Sequence, residues 1–380
     1  MSRWVIRLLF VLAVGGIIGS AIWNNIATNR LIEQATGENR AQQVAALGAL
    51  AQRDDFFDLL QSRKTPARLR VADGVEAMNN ADGVKIALAM LRDPDPRVRD
   101  RFLESLKKLG AANLAAVADG LKNGDAKVRN GTVQVMIALG EASISHALKA
   151  FEDSGGRGAA TEVLAHFGAK SVPGLLELLR TKEDEGLRLD VVAALGRIGD
   201  RRATDAILPF LRLPPEKRRV ALSALGSIAD PQSVALLTGL LNDPAPEVAR
   251  AAADALGQVN RPEAVPVLIR ALSHPDGGVA QNAARSLARI GKPAIQPLLQ
   301  AMRSPDPTVA YLAASALSQI DAAEPVLLQA ATDPALRRYA LIALIERGSA
   351  AAIPLLEQAA RADDPALRQV AQRGLQRLSP

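Results

Sequence analysis

The sequence predicts an all-α fold: an α-solenoid of about eleven stacked helix pairs preceded by a single N-terminal transmembrane helix. Three observations lead there. Apolar residues make up 48% of the 380 residues but aromatic ones only 3%, so a core must be built from Ala, Leu, Val and Ile, which suits closely packed helices. A pattern of about thirty residues recurs along most of the chain. Residues 4–23, WVIRLLFVLAVGGIIGSAIW, form an apolar stretch broken by one charge.

The recurrence is plain in DPDPRVRDRFLESLKKLG (93–110), GDAKVRNGTVQVMIALG (124–140), DPAPEVARAAADALGQVN (243–260) and SPDPTVAYLAASALSQID (304–321). Each stretch has a turn rich in Pro or Asp, a branched apolar residue, small residues every three to four positions, and a stop. The residue after the branched one marks the register: Arg40, Arg70, Arg99, Arg129, Arg157, Arg188, Arg218, Ala249, Ala280, Ala310, Arg337 and Arg368, spaced by 27 to 31 residues. A second apolar segment follows in each unit, and in several it opens with Pro in its first turn, as in SVPGLLELL and AVPVLIRAL, where the missing N–H is harmless. Val248, Ala252, Leu256 and Val259 share one stripe of a helix, as do Val265, Leu268, Ile269 and Leu272 on its partner. Neither helix covers its stripe alone, so the pairs must stack on their neighbours. Alternation at period two is missing, so no β-structure is expected.

The succession D-P-x-x-x-V-R, A-x-x-A-L-G-x-I-G and A-x-P-x-L-x-x-A-L resembles the short HEAT-like repeat of bacterial scaffold proteins and of phycobilisome lyases, over roughly residues 36–380. The resemblance implies a protein-interaction platform, and on its lyase branch a chromophore-handling enzyme. It assigns no catalytic residue, cofactor or metal in this chain. Domains are expected at 1–29, the anchor or signal, and 30–380, the solenoid, ending in a polar capping half-repeat at about 362–380 with Arg368, Gln369, Gln372, Arg373 and Gln376 on its outer side.

Four residues before the marker stands Asp95, Asp125, Asp153, Asp184, Asp276, Asp306, Asp333 or Asp364, a place that suits a helix N-cap. The marker arginine is expected to pair with this Asp one turn along the helix or, as the resemblance implies, with its equivalent in the next repeat. Ala249, Ala280 and Ala310 interrupt the row while Asp276 and Asp306 remain. Two readings follow. Alanine tightens the helix packing there, or a partner docks over residues 245–311, meeting Asp276 and Asp306 and touching Arg250, Gln281 and Tyr311. Three glycines at 155, 156 and 158 open another repeat and are expected to loosen its turn.

Signs of chemistry are sparse. The chain has no cysteine, and His146, His166 and His274 show no metal spacing. Ser105 to Lys108, SLKK, matches an acyl-enzyme pattern without its companion motifs, and no phosphate-binding glycine motif occurs. The formal charge of +6 is spread among interspersed arginines and carboxylates, with no lysine after Lys292, so neither a nucleic-acid stripe nor a small-molecule substrate is expected.

In the apolar stretch, Trp4 and Trp23 are 19 residues apart. At about 1.5 Å per residue this nears the roughly 30 Å hydrocarbon thickness, with Trp at both interfaces and Arg7 at the inner one. Gly15 and Gly19 form a G-x-x-x-G packing motif. GSA at 19–21 also suits signal cleavage, so anchor and signal both stay open, the spacing favouring the anchor. A short flank bearing Arg3 and Arg7 favours an N-in orientation, which sets the solenoid on the periplasmic side of a bacterial inner membrane, bound to a protein partner in a membrane complex.

Overall fold

The structure, a computed structural model, describes residues 25–378. The expected anchor residues Trp4, Arg7, Gly15, Gly19 and Trp23 lie outside them. No described helix is long and apolar enough to cross a membrane. Helices and short 3₁₀ turns account for all regular structure among the described residues, with no strand. The chain divides into two compact units, the first through Gly174 and the second from Leu175.

In the first unit, α1 is described over residues 25–35, running unbroken through the boundary expected after residue 29. It is followed by α2 (Arg40–Ala51), α3 (Phe56–Gln61), α4 (Thr65–Met78), α5 (Ala81–Met90), α6 (Pro96–Gly110), α7 (Leu114–Ala118), α8 (Ala126–Ala138), α9 (Ser143–Phe151) and α10 (Arg157–Phe167). The division falls inside α11 (Val172–Thr181). The second unit continues with α12 (Glu185–Ile198), α13 (Thr204–Ile207), α14 (Pro215–Ile228), α15 (Pro231–Leu240), α16 (Pro246–Val259), α17 (Val265–Ala271), α18 (Gly277–Ile290), α19 (Ile295–Ala301), α20 (Pro307–Ser318), α21 (Glu324–Ala330), α22 (Arg337–Arg347), α23 (Ile353–Ala359) and α24 (Pro365–Leu378).

Local chemistry sets these boundaries. Asp95, Asp125, Asp184, Asp276 and Asp306 are N-caps whose carboxylates accept first-turn N–H groups. The first helices α12, α14 and α16 end on left-handed residues, Gly199 (φ 76°), Ala229 (φ 55°) and Asn260 (φ 51°). Glycine carries this conformation without strain, whereas Ala229 carries its cost. Gly156 in the first unit has ordinary helical angles, and its need is space, because a Cβ there would stand 2.6 Å from the carbonyl oxygen of Ala150.

Each unit buries its stripes between helices. In the second, an apolar core runs without interruption from Leu222 to Ala371, fed by every helix pair between them. Successive first helices of that unit, α12, α14, α16 and α18, touch backbone to backbone. A Cβ on Gly196 would lie 2.6 Å from the Cα of Ala224, one on Gly226 3.0 Å from that of Ala255, and one on Gly257 2.8 Å from that of Ser286. The closing helix α24 buries Leu367, Ala371 and Gly374 and exposes Gln369, Gln372, Arg373 and Gln376, as a capping element should.

The first unit contains a buried ion pair. Arg68 on α4 donates from Nε to Oδ2 of Asp93 at 2.8 Å and from Nη2 to Oδ1 at 3.0 Å, with Asp93 fully buried. The same carboxylate accepts the N–H of Asp95 at 2.9 Å, so one side chain ties α4 to the turn that starts α6.

Candidate functional site

Four of the marker arginines turn to backbone carbonyls and not to aspartate, whereas Arg218 does reach an acid of the next repeat, Asp243. Arg99 donates from Nη1 to the carbonyls of Asp93 (2.7 Å) and Pro94 (2.9 Å), Arg129 to those of Asn123 (2.7 Å) and Gly124 (2.8 Å), and Arg368 to those of Ala362 (2.7 Å) and Asp363 (2.8 Å). Arg337 reaches the equivalent carbonyls of Ala331 and Thr332 from Nε and Nη2, both at 3.1 Å. The partners are carbonyls five and six residues back, in the turn just after the preceding helix. These lack an intrahelical donor and lie at the negative end of a helix dipole, so a guanidinium satisfies both needs. Arg368 is thus a turn clamp, not part of the polar outer side of α24. The aspartates accept N–H groups of the turns that follow them, and some take a non-marker side chain as well: Asp95 that of Arg97, and Asp333 that of Arg303 at 2.7 Å.

The three alanines that replace the marker are buried, Ala249 at 1%, Ala280 at 3% and Ala310 at 0% exposure, which favours the reading that they tighten helix packing. Nor is Asp276 left without a cation. Arg250, one residue beyond the missing marker, donates from Nε to Oδ1 at 2.9 Å and from Nη2 to Oδ2 at 2.7 Å, bridging α16 to the start of α18. Sequence reasoning offered Arg250 and Asp276 to a docking partner as one of two readings; in the structure they pair with each other, since first helices one repeat apart lie within side-chain reach. The hydrogen bond from Arg250, with that from the Val279 N–H behind it, holds the Asp276 carboxyl well below the usual carboxylate range.

The remaining predicted residues do come together. Gln281, Asp306 and Tyr311 line one groove of about 440 Å³ between α18 and α20. Asp306 caps Thr308 at 2.8 Å, and the half-exposed Tyr311 donates its hydroxyl to Oε1 of Glu346 at 2.9 Å, which pushes the phenol pKa up. His274 accepts the N–H of Asp276 at Nδ1 (3.0 Å). Ser105 is buried and donates to Oε1 of Glu76 at 2.9 Å, and the Lys108 ammonium binds the same carboxylate, so the SLKK stretch is an ion-pair cluster.

A larger groove, of about 940 Å³, opens along the first helices α12, α14, α16 and α18 of the second unit. Its floor is made of small residues, Gly196, Ala224, Ala251 and Ala255 among them, and its charged side chains are Arg197, Arg219, Arg250, Arg285, Glu247 and Asp254. All four arginines are exposed. Asp254 is held by Arg289 at 3.3 Å and by Nε2 of Gln258 at 2.8 Å, Arg250 by Asp276, and Arg285 by the side-chain oxygen of Asn282 at 3.0 Å. Sequence reasoning missed Arg197, Arg219 and Arg285, which sit at different points of their repeats. The available signal was the density of Ala, Gly and Ser on these helices, which marks where they approach.

A family model described as HEAT repeats matches residues 143–226, 212–276, 233–318 and 266–332, together half of the chain. No curated protein sequence matches the chain. Among solved structures, an engineered protein is similar over 93% of this chain and 99% of its own, at 22% identity and a TM-score of 0.36. Kap121p is similar over 92% of this chain and 45% of its own, at 16% identity and a TM-score of 0.43, so the chain spans less than half the length of that protein. The complex of CpcE and CpcF of phycocyanin lyase from Nostoc sp. PCC7120 is similar over 53% of this chain and 86% of its own, at 26% identity and a TM-score of 0.31. With four matches of one repeat family laid over the helix pairs seen in the structure, the chain belongs to the HEAT-repeat family.

Proposed function

We propose that this HEAT-repeat chain is a non-enzymatic scaffold that grips another protein, tethered through residues 4–23 and working on the periplasmic side of the inner membrane as a subunit or assembly factor of a membrane complex. One observation carries the binding role: the open groove along α12, α14, α16 and α18, accessible, lined by charged side chains over an apolar floor, and built on backbones locked together by Gly196, Gly226 and Gly257. A rigid surface of this kind loses little entropy when a partner docks. The tether rests on the Trp4 to Trp23 spacing and the flanking Arg3 and Arg7.

Chemical cross-linking of the full-length protein in native membranes, followed by mass spectrometry, tests the reading. A reproducible stoichiometric protein partner and an intact mass that retains residues 1–23 are expected. Absence of any such partner, with turnover of a tetrapyrrole by the purified chain, would favour the lyase-like alternative.

A further inference from the structure

The charge in the large groove is unbalanced. Among the described residues no ion pair holds Arg197, Arg219 or Arg285, while of the two acids lining the groove Asp254 already has Arg289. Elsewhere in the molecule arginines find partners readily: Arg218, the neighbour of Arg219, reaches both the Leu213 carbonyl (3.1 Å) and Asp243. Arg219 points the other way, onto the exposed side of α14. Three cationic forks on three helices face one groove, Arg285 touching the neutral Asn282 and none of the three neutralised by an acid among the described residues, and form a surface complementary to separate carboxylates.

Dimensions and chemistry restrict the ligand further. From α12 to α18 there are three interhelix steps of roughly 9 Å each, so a segment crossing all four helices spans about 27 Å, or about eight extended residues. The floor of Gly and Ala leaves room for a backbone, and the exposed Ser223 lines it with a hydroxyl. No aromatic side chain lines the groove for a base to stack on, and Glu247 and Asp254 stand where a continuous phosphate chain would run. We propose that the Arg197–Arg219–Arg285 groove is a docking site for an extended acidic segment of a partner protein, its Asp or Glu side chains spaced to meet the three guanidinium groups. This rests on the scaffold reading above.

The probe is a fluorescein-labelled twelve-residue peptide, (Asp-Gly-Glu-Ser)₃, titrated by anisotropy with the full-length protein in detergent. A Lys-for-acid counterpart and a single-stranded oligonucleotide of equal charge serve as comparisons. The acidic peptide is expected to bind, to weaken as salt rises, and to lose at least about tenfold in affinity in the triple variant Arg197→Gln, Arg219→Gln, Arg285→Gln. A second triple variant, Arg212→Gln, Arg270→Gln, Arg361→Gln, changes the same charge on exposed second-helix and turn positions and should bind within about twofold of the parent. Because all six side chains are exposed, melting curves should coincide; should either triple variant melt early, the single substitutions are compared instead. Equal losses in both variants, no loss in the first, no binding of the peptide, or tighter binding of the oligonucleotide would each overturn the proposal. A native partner that cross-links equally to the parent and the first variant would also overturn it while leaving the scaffold reading intact; only the lack of any partner overturns both.

Discussion

Arg68 in the first unit and Arg219 in the second show two uses of one residue type. Arg68 is buried against Asp93, and the same unit buries large side chains, Phe102, Phe151 and Met136. In the second unit, between α12 and α18, the first helices meet through glycine and alanine, the marker shrinks to Ala249 and Ala280, and the guanidinium groups appear outside, on Arg197, Arg219, Arg250 and Arg285. The difference teaches where each region can be altered. A buried arginine is fixed by its partner, whereas an outward one on a close-packed floor is free to meet something else.

The comparison breaks most severely at the buried pair. Asp93→Ala strands the Arg68 guanidinium and the Asp95 N–H in the interior and is expected to cost about 3–5 kcal/mol in urea denaturation, while Arg68→Met combined with Asp93→Leu recovers most of that. A smaller loss is expected at the helix contact of the second unit: Gly196→Val pushes a side chain into the Ala224 backbone and should cost about 1–3 kcal/mol or more, whereas Gly239→Ala, with nothing within 4 Å of the new Cβ, should gain about 0.5–1 kcal/mol. Ala229→Gly relieves a left-handed alanine at the end of α14 and should raise stability by about 1 kcal/mol, read in the same assay.

The mildest effect concerns Asp276. Its carboxyl is held down chiefly by the hydrogen bond from Arg250, so the folded pKa lies below the unfolded value of about 3.9. The stabilisation is therefore present above pH ~4 and is lost as the pH falls through the folded value. In Arg250→Gln, carbon-detected titration should show Asp276 moving up toward the ordinary carboxylate range, and the acid sensitivity contributed by this group should shrink. An unmoved Asp276 would mean that the first-turn N–H groups alone set its titration.

Much of the fold was legible because it is repeated. Asp95, Asp125, Asp276 and Asp306 announce helix starts through their own local chemistry, and the stripes at Val248 to Val259 and Val265 to Leu272 announce which faces meet. What was not legible depends on reach between repeats. The partners of Arg99 and Arg337 are backbone carbonyls, which every residue possesses and no sequence pattern distinguishes. The pairing of Arg250 with Asp276, and the gathering of Arg197, Arg219 and Arg285 around one groove, follow from how closely α12, α14, α16 and α18 approach. That distance is set by Gly196, Gly226 and Gly257 against specific residues of the next repeat, a register visible only in three dimensions.

The most direct test of the account is site-specific photo-cross-linking of the full-length protein in its native membrane. A photoreactive residue is placed at Ala193, Ser223 or Glu247 on the first-helix face, or at Leu236, Arg270 or Gln300 on the second-helix face. The account expects one protein partner captured from the first three positions and not from the last three. Capture from the second-helix positions alone, or equally from both faces, would contradict it.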